Sequence, residues 1–158
     1  MMKDQVDTIL QQWLKTRPEL DCSSMGVVGR VRRTSEQWKK QMEVVFKQHQ
    51  LSSIEFDILA TLRRSQAPLT PTELYQTLML SSGVMSTRIE SLVQRGLLQR
   101  LASEEDRRSC QVELTEKGIA LIDPVVSEHV DNMESMLSPL DKSERDQLAM
   151  LLKKLGGN

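Results

Sequence analysis

Long apolar runs and cysteine are both scarce in this chain, and each shortage excludes a class of protein. No apolar stretch approaches the roughly 20 residues that a helix needs to span a bilayer. The charged N-terminus is not followed by the apolar segment of a signal peptide. The two cysteines, Cys22 and Cys110, lie too far apart to indicate the disulfide framework of a secreted domain. We therefore expect a soluble cytoplasmic protein.

Aromatic residues are also few, at 3% of the 158 residues, whereas leucine, isoleucine, valine and methionine are plentiful. This balance favours helices over strands, and the length suits a single domain. The formal net charge is only −1, but the charges are unevenly distributed. Residues 30–64 carry eight basic and four acidic side chains, whereas residues 113–158 carry five basic and nine acidic ones. One face of the protein could therefore meet nucleic acid while the bulk charge stays close to neutral.

The first third of the chain shows helical periodicity. Apolar residues predict a short amphipathic helix over residues 6–14, ended by Pro18, and a long helix over residues 24–48. Ser52 and Glu55 have the spacing of a capping box, which predicts the start of a third helix.

The middle of the chain has the pattern of a helix-turn-helix. Thr70 and Glu73 form a capping box at the start of one short helix. Ser81 or Ser82 caps the next helix, and Gly96 ends it. Two short capped helices joined by a tight turn are the helix-turn-helix arrangement. The residues of the second helix that we expect to face inward are Val84, Ile89, Leu92 and Val93.

Two strand-like runs, residues 97–101 and 109–114, follow the helix-turn-helix and predict a β-hairpin. The polar loop between them carries Arg107 and Arg108. Arginines at the tip of such a hairpin can enter the minor groove of DNA, although ordinary solvated loop charges are the alternative. Thr115 is the predicted cap of a further long helix.

The segment that carries the hairpin resembles a motif of the MarR family of winged helix-turn-helix regulators. This motif consists of an acid, an arginine pair, a strand, and a threonine with a glycine three residues later. The likeness extends over roughly residues 24–155. It implies a mainly α fold with a small β-hairpin wing, and an interlocked helical homodimer. It also implies binding to a pseudo-palindromic operator in double-stranded DNA. The residues that carry the motif are Asp106, Arg107, Arg108, Val112, Leu114, Thr115 and Gly118.

The same resemblance assigns roles to three parts of the expected single MarR-type domain, residues 1–158. Residues 1–50 would supply dimerisation and ligand-binding helices, residues 51–115 the winged helix-turn-helix DNA-binding region, and residues 116–158 the C-terminal dimerisation helices. The sequence shows no nucleophile–base set, phosphate loop or metal-ligand cluster that would indicate an enzyme, a cofactor or a metal.

Short hydroxyl side chains near the start of the second helix suit contacts with phosphates and base edges. Capping is the alternative role for one of the serines, and Met85 is available for a thymine methyl group. Asp106 is expected to orient the wing arginines rather than to touch DNA. The residues predicted to contact DNA are Ser81, Ser82, Met85, Ser86, Thr87, Arg88, Arg107 and Arg108.

The segments QQWLKTRPELD and SIEFDILATLRR are similar to the urate-responsive PecS/HucR branch of the family, which carries an additional N-terminal helix with a tryptophan. This resemblance implies that a small anion is bound by Trp13, His49, Asp57, Arg88 and Arg100. Packing is the alternative role for Trp13. We hypothesise that Asp57 and Arg88 form an ion pair in the ligand-free dimer, and that the ligand draws Arg88 away and releases DNA.

Three other functions stay open at this point. Peroxide-sensing members of the family place a reactive cysteine roughly where Cys22 lies, although the neighbouring Glu19 and Asp21 oppose thiolate formation. A regulator of the same kind could respond instead to a phenolic or other organic acid. A helical protein-interaction adaptor that has lost DNA binding is the third alternative.

Overall fold

The computed structural model describes residues 3–102 and 110–156 of the chain. Within these residues it contains seven α-helices and one two-stranded antiparallel sheet. None of the described helices is both long and apolar enough to cross a membrane. The elements are α1 (Gln5–Thr16), α2 (Ser23–Gln48), α3 (Ser53–Ser65), α4 (Pro71–Leu78), α5 (Ser82–Gln94), β1 (Leu98–Ala102), β2 (Cys110–Leu114), α6 (Glu116–Met136) and α7 (Lys142–Gly156).

The predicted helix starts are confirmed by the capping hydrogen bonds. The Ser52 hydroxyl accepts from the Glu55 N–H, and the Glu55 carboxylate accepts from the Ser52 N–H at 2.8 Å. Thr70 and Glu73 make the same reciprocal pair at the start of α4. Ser81 caps α5, because its hydroxyl accepts from the Val84 N–H.

The predicted hairpin is formed by β1 and β2, which pair in antiparallel register from Leu98 opposite Leu114 to Ala102 opposite Cys110. The segment before α4 joins this sheet, since Leu69 and Val112 exchange both backbone hydrogen bonds, at 3.0 and 2.8 Å. The helix-turn-helix and the hairpin are therefore joined through the backbone.

The core lies where α3, α4, α5, the hairpin and α6 meet. Apolar residues recur on one side of each helix, and these sides face one another, as the helical period requires. The Phe46 and Phe56 rings stack at its edge, with 4.2 Å between their centroids. Its fully buried side chains include Ile58, Leu59, Leu74, Met85, Ile89, Leu92, Val112, Ile122 and Val125.

The expectation that Val84 faces inward is wrong, because its side chain is 41% exposed. The buried stripe of α5 consists of Met85, Ile89 and Leu92, at the i, i+4 and i+7 positions that share one face of a helix. Val84 precedes this stripe by one residue and is rotated away from the core.

The chain divides into two compact units between Gln41 and Met42, a boundary that falls inside α2. The three-part assignment of roles along the sequence therefore stays a prediction. Within the second unit, α7 has no buried residue.

In the first unit, α1 packs against the beginning of α2. Val6 is buried next to Gly29, whose position leaves room for the valine methyl groups. The Arg30 guanidinium donates to the Asp4 carboxylate at 2.8 and 3.0 Å and to Asp7 at 2.7 Å. Asp4 and Asp7 also cap α1 through a reciprocal capping box, so the same two acids start the helix and anchor it.

The first turn of α6 lies directly against the end of the helix-turn-helix. Thr115 donates to the Gly96 carbonyl at 2.7 Å and accepts from the Gly118 N–H at 3.0 Å. A Cβ atom at Gly118 would lie 2.2 Å from the carbonyl oxygen of Leu97. Only glycine allows this approach of helix and backbone.

Substitution of Gly118 by alanine is therefore expected to lower the free energy of unfolding by about 1–3 kcal/mol, because backbone atoms must move to admit the methyl group. Gly83→Ala is the matched control, since a Cβ at Gly83 meets nothing within 4 Å. Urea denaturation followed by circular dichroism measures both variants. Equal stability of the two variants would show that the contact at Gly118 is not as close as described.

Candidate nucleic-acid interface and ligand-response site

The N-terminal part of α5 presents a polar surface. Ser81, Ser82, Ser86 and Thr87 are all exposed, whereas the buried stripe of the helix faces the core. The Ser81 hydroxyl is used for capping, and the Thr87 hydroxyl donates to the Gly83 carbonyl at 3.1 Å. The unpaired N–H groups of a helix start favour anionic groups, so this surface has the chemistry to meet phosphates and base edges.

Met85 does not belong to this surface, and the prediction that it contacts DNA is wrong. Its side chain is 0% exposed, within the stripe that packs into the core. Its position among the hydroxyl side chains of this stretch suggested the contact with DNA. Its spacing of four residues from Ile89 is the signal that would have placed it inside.

The wing residues Asp106, Arg107 and Arg108 lie outside the described residues, and their roles stay predictions. The hairpin strands that flank them end at Ala102 and begin again at Cys110.

Arg88 has an acidic neighbour on α3, but this neighbour is Glu55 and not Asp57. The Arg88 Nη1 atom lies 3.9 Å from the Glu55 Oε1 atom. Within the described part of this single chain, Asp57 and Arg88 form no ion pair, so the expected pairing is not found there. Burial raises the pKa of Asp57, and the nearby Arg64 and His129 partly oppose this shift.

Glu55 is a residue of this site that the sequence interpretation did not recognise beyond its capping role. Its side chain is 8% exposed, and its Oε2 atom lies 3.7 Å from the Arg95 Nη1 atom. Glu55 therefore contacts Arg88 of α5 and Arg95, the residue that caps the end of α5, while it completes the capping box of α3. The available sequence signal was an acid in the first turn of a helix, which does not report partners elsewhere in the chain.

His49 and Arg100, two of the predicted ligand-binding residues, have acidic partners at separate places. The His49 Nε2 atom lies 2.7 Å from the Glu128 carboxylate, beside an open groove of about 690 Å³. The Arg100 guanidinium donates to Glu90 at 2.9 Å, and this hydrogen bond raises the pKa of Arg100. These partners, Glu128 and Glu90, differ from the Glu55 carboxylate that Arg88 approaches, and the ligand-binding roles of His49 and Arg100 stay predictions.

Trp13 and Cys22 belong to the first unit. The Trp13 side chain is 37% exposed, and Cys22 is a buried free thiol. Among the described residues, no group of three or more histidine, cysteine, aspartate or glutamate side chains could hold a metal ion.

His129 is a second residue that the sequence interpretation missed. Its ring packs against Phe46 and Phe56, with centroid distances of 5.0 and 4.9 Å. Its Nδ1 atom is buried without a hydrogen-bond partner among the described residues. Burial lowers the pKa of His129, and the charge of Asp57 partly opposes this shift.

A helix-turn-helix followed directly by a two-stranded hairpin defines a winged helix-turn-helix protein. Residues 49–109 match the MarR family model. The chain is 42% identical over 150 residues to the HTH-type transcriptional regulator PecS of Dickeya dadantii, covering 94% of this chain and 90% of that protein. It is 30% identical over 148 residues to the repressor NicR of Pseudomonas putida, covering 89% and 93%. The chain therefore belongs to the MarR family.

Solved structures show the same fold. MarR of Escherichia coli in complex with operator DNA has a TM-score of 0.72 at 23% identity, covering 90% of this chain and 96% of that one. Bordetella bronchiseptica BpsR, whose DNA binding is regulated by 6-hydroxynicotinic acid, has a TM-score of 0.72 at 25% identity, covering 82% and 98%. The protein is a DNA-binding transcription regulator, and neither its fold nor its relatives are those of an enzyme.

Because burial lowers its pKa in the folded state, His129 is expected to reduce the free energy of unfolding as the pH falls. The unfolded chain binds a proton at its ordinary value of about 6.5, whereas the folded state resists protonation of this ring. The free energy of unfolding should therefore decrease between about pH 7.5 and about pH 5.5, on either side of that value. Urea denaturation at the two pH values measures the loss.

His129→Phe removes the titrating ring but keeps an aromatic side chain against Phe46 and Phe56, so the variant should lose less stability over this range. His49→Gln is the control, because it leaves His129 in place and should retain the His129 contribution. A loss in His129→Phe as large as that of the unmodified protein would contradict the assignment.

Proposed function

We propose that the protein is a homodimeric repressor, released from its operator by a small anionic ligand such as urate. The observation that carries this proposal is the exposed polar start of α5, displayed by a winged helix-turn-helix whose opposite face is buried. A ligand that disfavours the DNA-bound arrangement of this helix must lower the affinity for the operator, as linkage requires.

In the DNA complex, phosphate contacts supply most of the affinity and base-edge contacts select the operator. Ser82, Ser86 and Thr87 on the exposed start of α5 reach the bases of the major groove. Arg107 and Arg108 of the wing enter the minor groove, and Asp106 orients them. The operator is a pseudo-palindrome that matches the two-fold axis of the dimer.

Dimerisation is supported by apolar side chains that the single chain leaves uncovered. No residue of α7 is buried, although the helix carries leucines one turn apart at Leu151 and Leu155, which are 55% and 72% exposed. An amphipathic helix whose apolar side meets only water is unstable by itself, so a second copy of the chain covers it. The proposal gives dimerisation to residues 116–158, dimerisation and ligand binding to residues 1–50, and DNA binding to residues 51–115.

The ligand is an anion that draws Arg88 toward itself and repels the Asp57 carboxylate, and Trp13, His49 and Arg100 are the other residues predicted to bind it. In the ligand-free chain Arg88 lies close to Glu55, so the ligand competes with this carboxylate for the guanidinium. Because Arg88 is part of α5, its displacement moves the helix that reads DNA. The resemblance of QQWLKTRPELD and SIEFDILATLRR to the urate-responsive branch of the family supports a ligand of the urate type.

A heteroaromatic carboxylic acid is the second candidate ligand. The structural similarity to BpsR, which responds to 6-hydroxynicotinic acid, favours this class. Such an acid carries the same features as urate, a planar ring and a negative charge, and could use the same arginine.

Urate is expected to release the protein from a fluorescently labelled promoter fragment of its own gene. Asp57→Ala removes the carboxylate that the anion repels, so this variant should need at least about tenfold more urate, equivalent to about 1.4 kcal/mol of lost coupling. Fluorescence anisotropy measures the titration, and 6-hydroxynicotinic acid is titrated in parallel. Equal release from both proteins, or no release of the unmodified protein, would reject the urate mechanism. Release by the carboxylic acid alone would support the second candidate.

A double substitution of Leu151 and Leu155 by glutamate is expected to convert the dimer into monomers, because it places two charges on the uncovered apolar side of α7. Analytical ultracentrifugation should then give the 18.0 kDa of one chain instead of twice that mass. Lys153→Glu is the control and should remain dimeric, because Lys153 is exposed and lies on the opposite side of α7 from Leu151 and Leu155. A dimer that persists in the double variant would exclude α7 from the interface.

A further inference from the structure

We propose that Glu55 is a positioning residue that sets the orientation of α5 on α3 and thereby the operator specificity of the protein. The inference rests on the proposed function in one respect, namely that α5 is the helix that reads DNA. The inference assigns a role in DNA binding to a residue that would not touch DNA and would act through Arg88 and Arg95.

The geometry around the Glu55 carboxylate is that of a fixed charge. Its side chain is 8% exposed, and its Oε2 atom is held by the Ser52 N–H at 2.8 Å. Arg88 and Arg95 approach the two carboxylate oxygens at 3.9 and 3.7 Å, which is ionic contact rather than direct hydrogen bonding. Their side chains are 42% and 32% exposed, so these arginines retain freedom that Glu55 lacks.

Two contacts on one helix constrain it more than one contact does. Arg88 lies within α5 and Arg95 is its C-cap residue, still with right-handed helical backbone angles. The two are seven residues apart, which is about two turns and about 10 Å along the axis, on the same side of the helix. The apolar stripe of α5 holds the helix against the core, but apolar packing alone is not directional. The paired ionic contacts with Glu55 therefore select one rotation of α5 about its axis.

This rotation determines which side chains face the major groove. Ser82, Ser86 and Thr87 are exposed on the part of α5 that precedes Arg88. A turn of the helix about its axis would shift all three relative to the bases, whereas contacts with phosphates tolerate such a shift. Glu55 also occupies two cations that could otherwise bind phosphates of any sequence. Both effects favour the operator over unrelated DNA.

The chain contains a matched control for Glu55. Glu73 occupies the same capping-box position in α4, where its carboxylate accepts from the Thr70 N–H at 2.7 Å. Glu73 is exposed, and no arginine or lysine of the described ranges lies within ion-pair distance of it. Glutamine serves in a capping box as glutamate does, so Glu55→Gln and Glu73→Gln both keep the cap and remove one charge.

The test compares the two variants with the unmodified protein on two DNA fragments. The first is the labelled promoter fragment of its own gene, and the second is a shuffled fragment of the same length and composition. The measured quantity is the ratio of the two dissociation constants at one salt concentration. Glu55→Gln should lower the preference for the promoter by about tenfold, which is comparable to the effect of one mismatched base pair in the operator. Glu73→Gln should leave the preference unchanged.

If the ratio of dissociation constants is unchanged in Glu55→Gln, the inference is overturned, whether the affinities for the two fragments rise together or fall together. An equal gain on both fragments would mean that only the net charge matters, and an equal loss would mean that less protein is folded. If the unmodified protein does not distinguish the fragments, the proposed function itself fails. If the unmodified protein is selective and Glu55→Gln is equally selective, only the inference fails.

Arg95→Gln removes the ionic contact with Glu55 from the arginine side and leaves the α3 cap intact. The test can therefore still be made if Glu55→Gln does not fold. Arg95→Gln should lower the same ratio. Where both single variants fold, the double variant should lose no more specificity than Glu55→Gln alone, because both changes remove one interaction. Fully additive losses would show that the two residues act independently and would overturn the proposal.

Discussion

The burial of one side of α5 is the constraint on which the rest of the structure depends. Met85, Ile89 and Leu92 are fully buried in the core, which holds the helix in place by apolar packing. Because a helix has only one such side, the packing of the core leaves the hydroxyls at the start of α5 facing solvent.

Much of the fold could be predicted because its signals are local. Capping boxes such as Thr70 with Glu73, and the glycine at position 96 with φ of 72°, each act within a few residues. Apolar periodicity then gives the type of each helix. The error at Val84 arose because a short helix offers few apolar positions, so a stripe displaced by one residue fits the pattern almost as well.

The candidate site was less predictable because its contacts join distant parts of the chain. Glu55 and Arg95 are forty residues apart, and no local pattern distinguishes Glu55 from the exposed Glu73, which has the same capping role. His129 likewise depends on its packing against Phe46 and Phe56. Resemblance to a family indicated Arg88 and Asp57, but it could not indicate which acid Arg88 approaches in this chain.

The close approach of Gly118 to the Leu97 carbonyl has a mechanical consequence. With no space for even one methyl group between them, the first turn of α6 cannot slide along the chain segment that enters β1. A tilt of α6 would therefore also displace the segment that enters β1.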